Sequence, residues 1–203
     1  MQTMARAMPK SNEKMERSLG NACIRAMEGE GNERKFVLSF SSEEPYTRYF
    51  GSEILDHSEG AVDLSRLNEM GVVLFNHKRD VVIGKITRAW IEEFRGMAEI
   101  EFDDDDDAEK IRKKVKSGTL KGVSVGYLVD SWEEVLANKQ SADGKYTGPA
   151  CIARKWQPYE ISIVSVPADA TVGVGRDMAI KDLADVDLFA RQLQINKNLT
   201  GGM

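Results

Sequence analysis

Between residues 36 and 166, short β-type runs follow one another with no regular alternation of strand and helix. A doubly wound sheet needs that alternation, so the pattern points to a mainly β fold, a barrel or a sandwich. The runs are 36–40, 46–55, 72–75, 122–129, 152–156 and 159–166, with a hairpin formed by 81–91 and 97–102. In the hairpin, Ala98, Ile100 and Phe102 alternate with Glu99 and Glu101, the period of a half-buried strand, and Glu93-Phe94-Arg95-Gly96 supplies the turn. Two helical pieces interrupt the series. One is a short turn at 63–67 that opens on Asp63 as N-cap. The other, 108–117, follows the acidic run 103–107, carries Ile111 and Val115 on one stripe, and stops at Gly118. The polar stretch 138–149 reads as a long mobile loop.

The ends differ from this middle. Residues 1–35 are polar, with mixed charges and scattered Met, and read as a flexible N-terminal extension outside the core. Residues 36–175 form the expected domain. Residues 176–203 read as a helical tail, with Leu183, Val186, Leu188, Phe189, Leu193 and Ile195 giving a partial apolar face.

Composition removes several function classes. No stretch reaches the ~18 consecutive apolar residues of a membrane span, and the first twenty residues lack the apolar core of a secretory signal. A net charge of −5 argues against general nucleic-acid binding. The two cysteines, Cys23 and Cys151, have no neighbouring His and no Cys-x-x-Cys spacing, so neither a zinc site nor a cysteine nucleophile is indicated. The acidic run 103–107 lacks the spaced ligands of a calcium loop and reads as a solvated helix start. Neither a metal nor an organic cofactor is called for.

With only two histidines, His57 and His77, the choice of an imidazole base is binary. His77 follows an apolar run at a polar corner, Phe75-Asn76-His77-Lys78-Arg79-Asp80, a rigid place to hold a base; the plainer reading is an exposed loop histidine. Gly122-Val123-Ser124-Val125-Gly126 matches the G-x-S-x-G pattern of a nucleophile elbow. However, the predicted helix precedes the motif and no histidine follows Ser124, so an α/β-hydrolase is disfavoured. The glycines clear space for a substrate backbone to approach the Ser124 hydroxyl; by itself the motif is a strand with one small polar residue. In Tyr159-Glu160-Ile161-Ser162-Ile163-Val164, alternation puts Glu160 and Ser162 on one face. If that strand neighbours the one holding Ser124, Ser124, Glu160 and His77 can meet; otherwise Glu160 is ordinary solvent-facing alternation.

Three blocks in order carry a resemblance to a known family. They are residues 72–80 with Ile83-Gly84-Lys85, residues 117–127, and residues 159–168. Together they resemble the prohead proteases of tailed bacteriophages, which are related in fold to the herpesvirus assemblins. The resemblance implies a closed assemblin-like β-barrel with a few surrounding helices, and a serine endopeptidase whose catalytic residues are His77, Ser124 and Glu160. Assemblin relatives use a second histidine as third member, for which His57 is the candidate here. It further implies cleavage of the phage major capsid protein or scaffold, autoproteolysis, and a homodimer by analogy with assemblins. The place of action it implies is the assembling prohead in the host bacterial cytoplasm. A serine esterase and a non-catalytic capsid-assembly protein that keeps the fold are the competing readings.

Overall fold

In the computed structural model the described residues are 8–19 and 22–166. The chain divides into Met1–Val172 and Gly173–Met203, and every described residue belongs to the first unit. The expected helical tail, 176–203, lies outside the described residues. In chain order the strands and helices are β1 Lys14–Leu19, β2 Ile24–Ala26, β3 Lys35–Ser42, β4 Tyr46–Arg48, β5 Gly51–Leu55, α1 Ser65–Met70, β6 Val72–Phe75, β7 Lys78–Glu92, β8 Arg95–Phe102, α2 Asp106–Lys116, β9 Gly122–Val135 and β10 Ala150–Val164.

The fold is mainly β, and one curled sheet organises it. Its hydrogen-bonded order is β1-β9-β10-β6-β7-β8-β3-β2, with the β4–β5 hairpin attached through β5 to the first part of β10. The path ends at β1 and at β2, and these two share no ladder among the described residues. The expected closed barrel is therefore corrected to a half-barrel: the terminal strands pair inward along the sheet and not with each other.

Alternation on the strands builds the core. Phe36, Leu38 and Phe40 of β3 and Ala98, Ile100 and Phe102 of β8 point inward, and Phe36 meets Phe102 edge-on at 5.3 Å. Each large apolar side chain buried this way contributes ~1.5–3 kcal/mol. Ala108, Ile111 and Val115 of α2 cover the same cluster. The acidic run explains the start of that helix: the Asp105 carboxylate accepts from the backbone N–H groups of Asp107 and Ala108 at 2.9 and 3.0 Å.

Three further expectations change. Part of the supposed N-terminal extension is built into the sheet, because β1 pairs with the free edge of β9 and buries Arg17 and Ser18. The two runs 152–156 and 159–166 are one long strand, β10, which absorbs its irregularities as bulges near residues 153–156 and 158–160 and so stays paired with β9. Residues 138–149, read as a mobile loop, are tied back: Tyr146 donates to Glu43 at 2.6 Å and Arg154 donates to Asp143 at 2.8 Å.

Candidate active site

The site begins with a turn. β6 and β7 are joined by Asn76 and His77 alone, with φ of 53° and 58°. Positive φ at both central residues is the type I′ geometry that matches strand twist in a two-residue hairpin. Asn tolerates this region; a histidine there stores ~1 kcal/mol or more and must be held. It is held from both sides. The Asn76 N–H donates to the Ile163 carbonyl at 3.0 Å, the Asn76 side-chain oxygen accepts from the Ser165 N–H at 2.9 Å, and the His77 N–H donates to Ser162 Oγ at 3.1 Å.

The neighbouring strands bring the other two groups. β10 runs between β6 and β9, and Ser162 lies opposite Ser124 while Glu160 lies opposite Gly126. Glu160 and Ser162 share a face, as alternation predicts, and Ser162 Oγ donates to Glu160 Oε2 at 2.9 Å. Gly126 is required here for a reason different from the one expected. A Cβ on it would lie 2.6 Å from Glu160 Oε1 and 2.8 Å from the Tyr159 ring, so the missing side chain makes room for the carboxylate and not for a substrate.

The three side chains form a series. Glu160 Oε1 is 2.6 Å from His77 Nδ1, and His77 Nε2 is 2.8 Å from Ser124 Oγ. The carboxylate on Nδ1 raises the pKa of His77 above its ordinary 6.5, against partial burial, which lowers it. It also fixes the tautomer: with the proton on Nδ1, Nε2 is left to accept from the Ser124 hydroxyl. His57 takes no part in this cluster. It is buried, donates from Nδ1 to the Leu55 carbonyl at 2.9 Å, and accepts at Nε2 from Ser41 Oγ at 2.7 Å.

Sequence reading missed the groups supplied by β1. Ser124 is fully buried, and Ser18 and Arg17 cover it. Ser18 Oγ donates to Ser124 Oγ at 3.1 Å, and the Arg17 carbonyl oxygen lies 3.1 Å from the same hydroxyl. Glu16 reaches within 3.7 Å of His77 Nε2. Nothing local in Lys14-Met15-Glu16-Arg17-Ser18-Leu19 signals a strand, because it has no run of β-branched or aromatic residues. Glu16, His77 and Glu160 are also the group of potential metal ligands found among the described residues. A cation there would have to displace the hydrogen-bond partners that both imidazole nitrogens already have.

A hydroxyl, an imidazole and a carboxylate in series is the arrangement of serine hydrolases, here mounted on a curled, mainly β sheet. The profile of the caudovirus prohead serine protease family matches residues 22–184, and the chain belongs to that family. A relative named as the major capsid protein of Halomonas phage phiHAP-1 is 40% identical over 143 residues. The match takes in 68% of this chain and 23% of that relative, so the chain spans about a quarter of the relative's length. No solved structure matches.

Proposed function

We propose that the chain is a serine endopeptidase of capsid maturation, acting on the phage major capsid protein or its scaffolding segment and on itself. Ser124 attacks the scissile carbonyl. His77 takes the serine proton and passes it to the leaving amine, while Glu160 holds the imidazole tautomer and stabilises the imidazolium. Water then releases the acyl-enzyme. The observation carrying this reading is the series Glu160–His77–Ser124 at 2.6 and 2.8 Å, within hydrogen-bond reach throughout. Family membership supports peptide-bond hydrolysis over small-ester turnover, and the capsid-protein relative supports a capsid substrate. The proposed place of action is the assembling prohead in the host bacterium, where confinement supplies substrate at high concentration.

The test is co-expression with the major capsid protein, wild type against Ser124→Ala, read by intact mass. Loss of a triad member costs on the order of 10⁴-fold or more in turnover, so processing should stop in the variant. Processing at an unchanged rate removes Ser124 as nucleophile. The second reading, a non-catalytic assembly protein, draws on the name of that relative. An unprocessed capsid protein beside the wild-type chain would favour it.

A further inference from the structure

The proposed nucleophile is covered by the chain's own β1. That strand lies antiparallel to β9, in register from Lys14 opposite Leu128 to Leu19 opposite Val123, and Ser18 stands directly opposite Ser124. Without β1, this edge of β9 carries no strand partner among the described residues. An open edge beside a nucleophile is where an extended peptide docks by strand addition. β1 also lies before residue 22, where the family match begins.

The Ser124 hydroxyl has one proton and two acceptors, His77 Nε2 at 2.8 Å and the Arg17 carbonyl oxygen at 3.1 Å. Base, nucleophile and a peptide carbonyl are therefore assembled together. The Arg17 side chain is seated as well. It is 2% exposed, stacks over the Tyr46 ring at 5.3 Å and donates from Nη2 to the Glu44 carbonyl. Its Nε and Nη1 are buried with no hydrogen-bond partner among the described residues. Orphaned buried donors cost ~1–3 kcal/mol each, which argues against a purely structural role for this residue. Burial pushes the Arg17 pKa down, and the fully buried Glu53, itself held by Arg48 at 2.6 Å, is the carboxylate that most offsets this.

We propose that β1 is the site's first substrate, cut between Arg17 and Ser18, and that the pocket of Glu44, Tyr46 and Glu53 selects a basic side chain on the acyl side of the scissile bond. The proposal rests on the serine-peptidase reading. The Ser124 oxygen bonds to the Arg17 carbonyl carbon and the Arg17–Ser18 C–N bond breaks. The serine proton travels through His77 to the Ser18 nitrogen. Water adds to the acyl carbon, and its proton returns through His77 to Ser124, leaving a free Arg17 carboxylate and a chain that begins at Ser18. Release of the segment ending at Arg17 uncovers the β9 edge for substrates in trans, which present a Lys or Arg in the same pocket.

The test follows the intact mass of the full chain over time, alone and with the major capsid protein, for wild type, Ser124→Ala, Arg17→Lys, Arg17→Met and Arg17→Glu, with circular dichroism to verify folding. A product starting at Ser18 is expected from wild type and Arg17→Lys. A slowing of ~10²-fold or more is expected for Arg17→Met and Arg17→Glu, and no product from Ser124→Ala. Ser124-dependent capsid cleavage with the Arg17–Ser18 bond intact overturns this inference and leaves the peptidase reading standing. Cleavage of that bond at the same rate in Arg17→Glu overturns the pocket. Failure of both cleavages in wild type overturns both readings.

Discussion

The chain has two histidines, and the two regions that hold them treat the same side chain in opposite ways. Each ring has Nδ1 tied to an oxygen and Nε2 beside a serine hydroxyl: His77 between Glu160 and Ser124, His57 between the Leu55 carbonyl and Ser41. The hydrogen-bond pattern is nearly the same; the charge on the Nδ1 partner is not. A carboxylate raises His77 above its ordinary range. A neutral carbonyl cannot offset the burial of His57, packed edge-on to Trp156 at 5.3 Å, and its pKa is pushed down to about 4. A serine beside an imidazole is thus not enough to mark a nucleophile. The ring must also be able to hold a positive charge transiently, which the region around Glu160 permits and the core around His57 resists.

The sharpest way to break the comparison is to remove each ring. His77→Ala should abolish capsid processing, by ~10⁴-fold, with a loss of stability limited to the Glu160–His77 interaction. His57→Ala should do the reverse, leaving turnover within a few-fold while lowering stability by ~2–4 kcal/mol, measured by denaturant melts. Equal losses of activity from both would erase the distinction. Next in size is Glu160→Gln, expected to slow processing by ~10²-fold or more and to move the acidic limb of the pH–rate profile to lower pH as His77 loses its raised pKa. A limb that stays in place would detach Glu160 from the imidazole.

The two rings should also separate on a pH axis. Activity needs His77 neutral, so processing should fall as pH drops through its raised pKa. The stabilising Glu160–His77 interaction runs the other way, complete below pH 6.5 and lost as pH climbs through that raised value. His57 is depressed: between pH 6.5 and about 4 the unfolded chain binds a proton that the folded one refuses. Its share of stability, on the order of 3 kcal/mol, is present above 6.5 and lost as pH falls through about 4. His57→Leu should flatten stability across that window, as read by urea midpoints against pH. The smallest effect belongs to the turn. Asn76→Ala keeps the positive φ without the side-chain acceptor for Ser165 and should cost ~1 kcal/mol. Asn76→Gly should cost less.

Legibility varied by element, for identifiable reasons. The bounds of β6 and the existence of the β7–β8 hairpin could be read because short apolar runs, alternation and turn residues are all local signals, whereas β7 begins at Lys78, inside the expected polar corner, and β8 already at Arg95, inside the expected turn, because ladder pairing extends both strands. The shared face of Glu160 and Ser162 could be read from period two alone. The run 152–166 read as two strands because bulges interrupt its alternation, while pairing to β9 carries it through. β1 was invisible because its order comes from the backbone edge of β9 and from a pocket for Arg17, neither of which leaves a mark on its six residues.

The sequence by itself determined the mainly β character, the choice of imidazole to one of two, and the residue types at positions 77, 124 and 160, since each follows from composition or from contacts a few residues apart. Only the tertiary structure decided that β9 and β10 pair with Ser124 opposite Ser162, that Gly126 yields its space to Glu160, and that β1 closes over the hydroxyl. Those outcomes depend on register between strands far apart in the chain, where one residue of slip would turn every side chain to the opposite face.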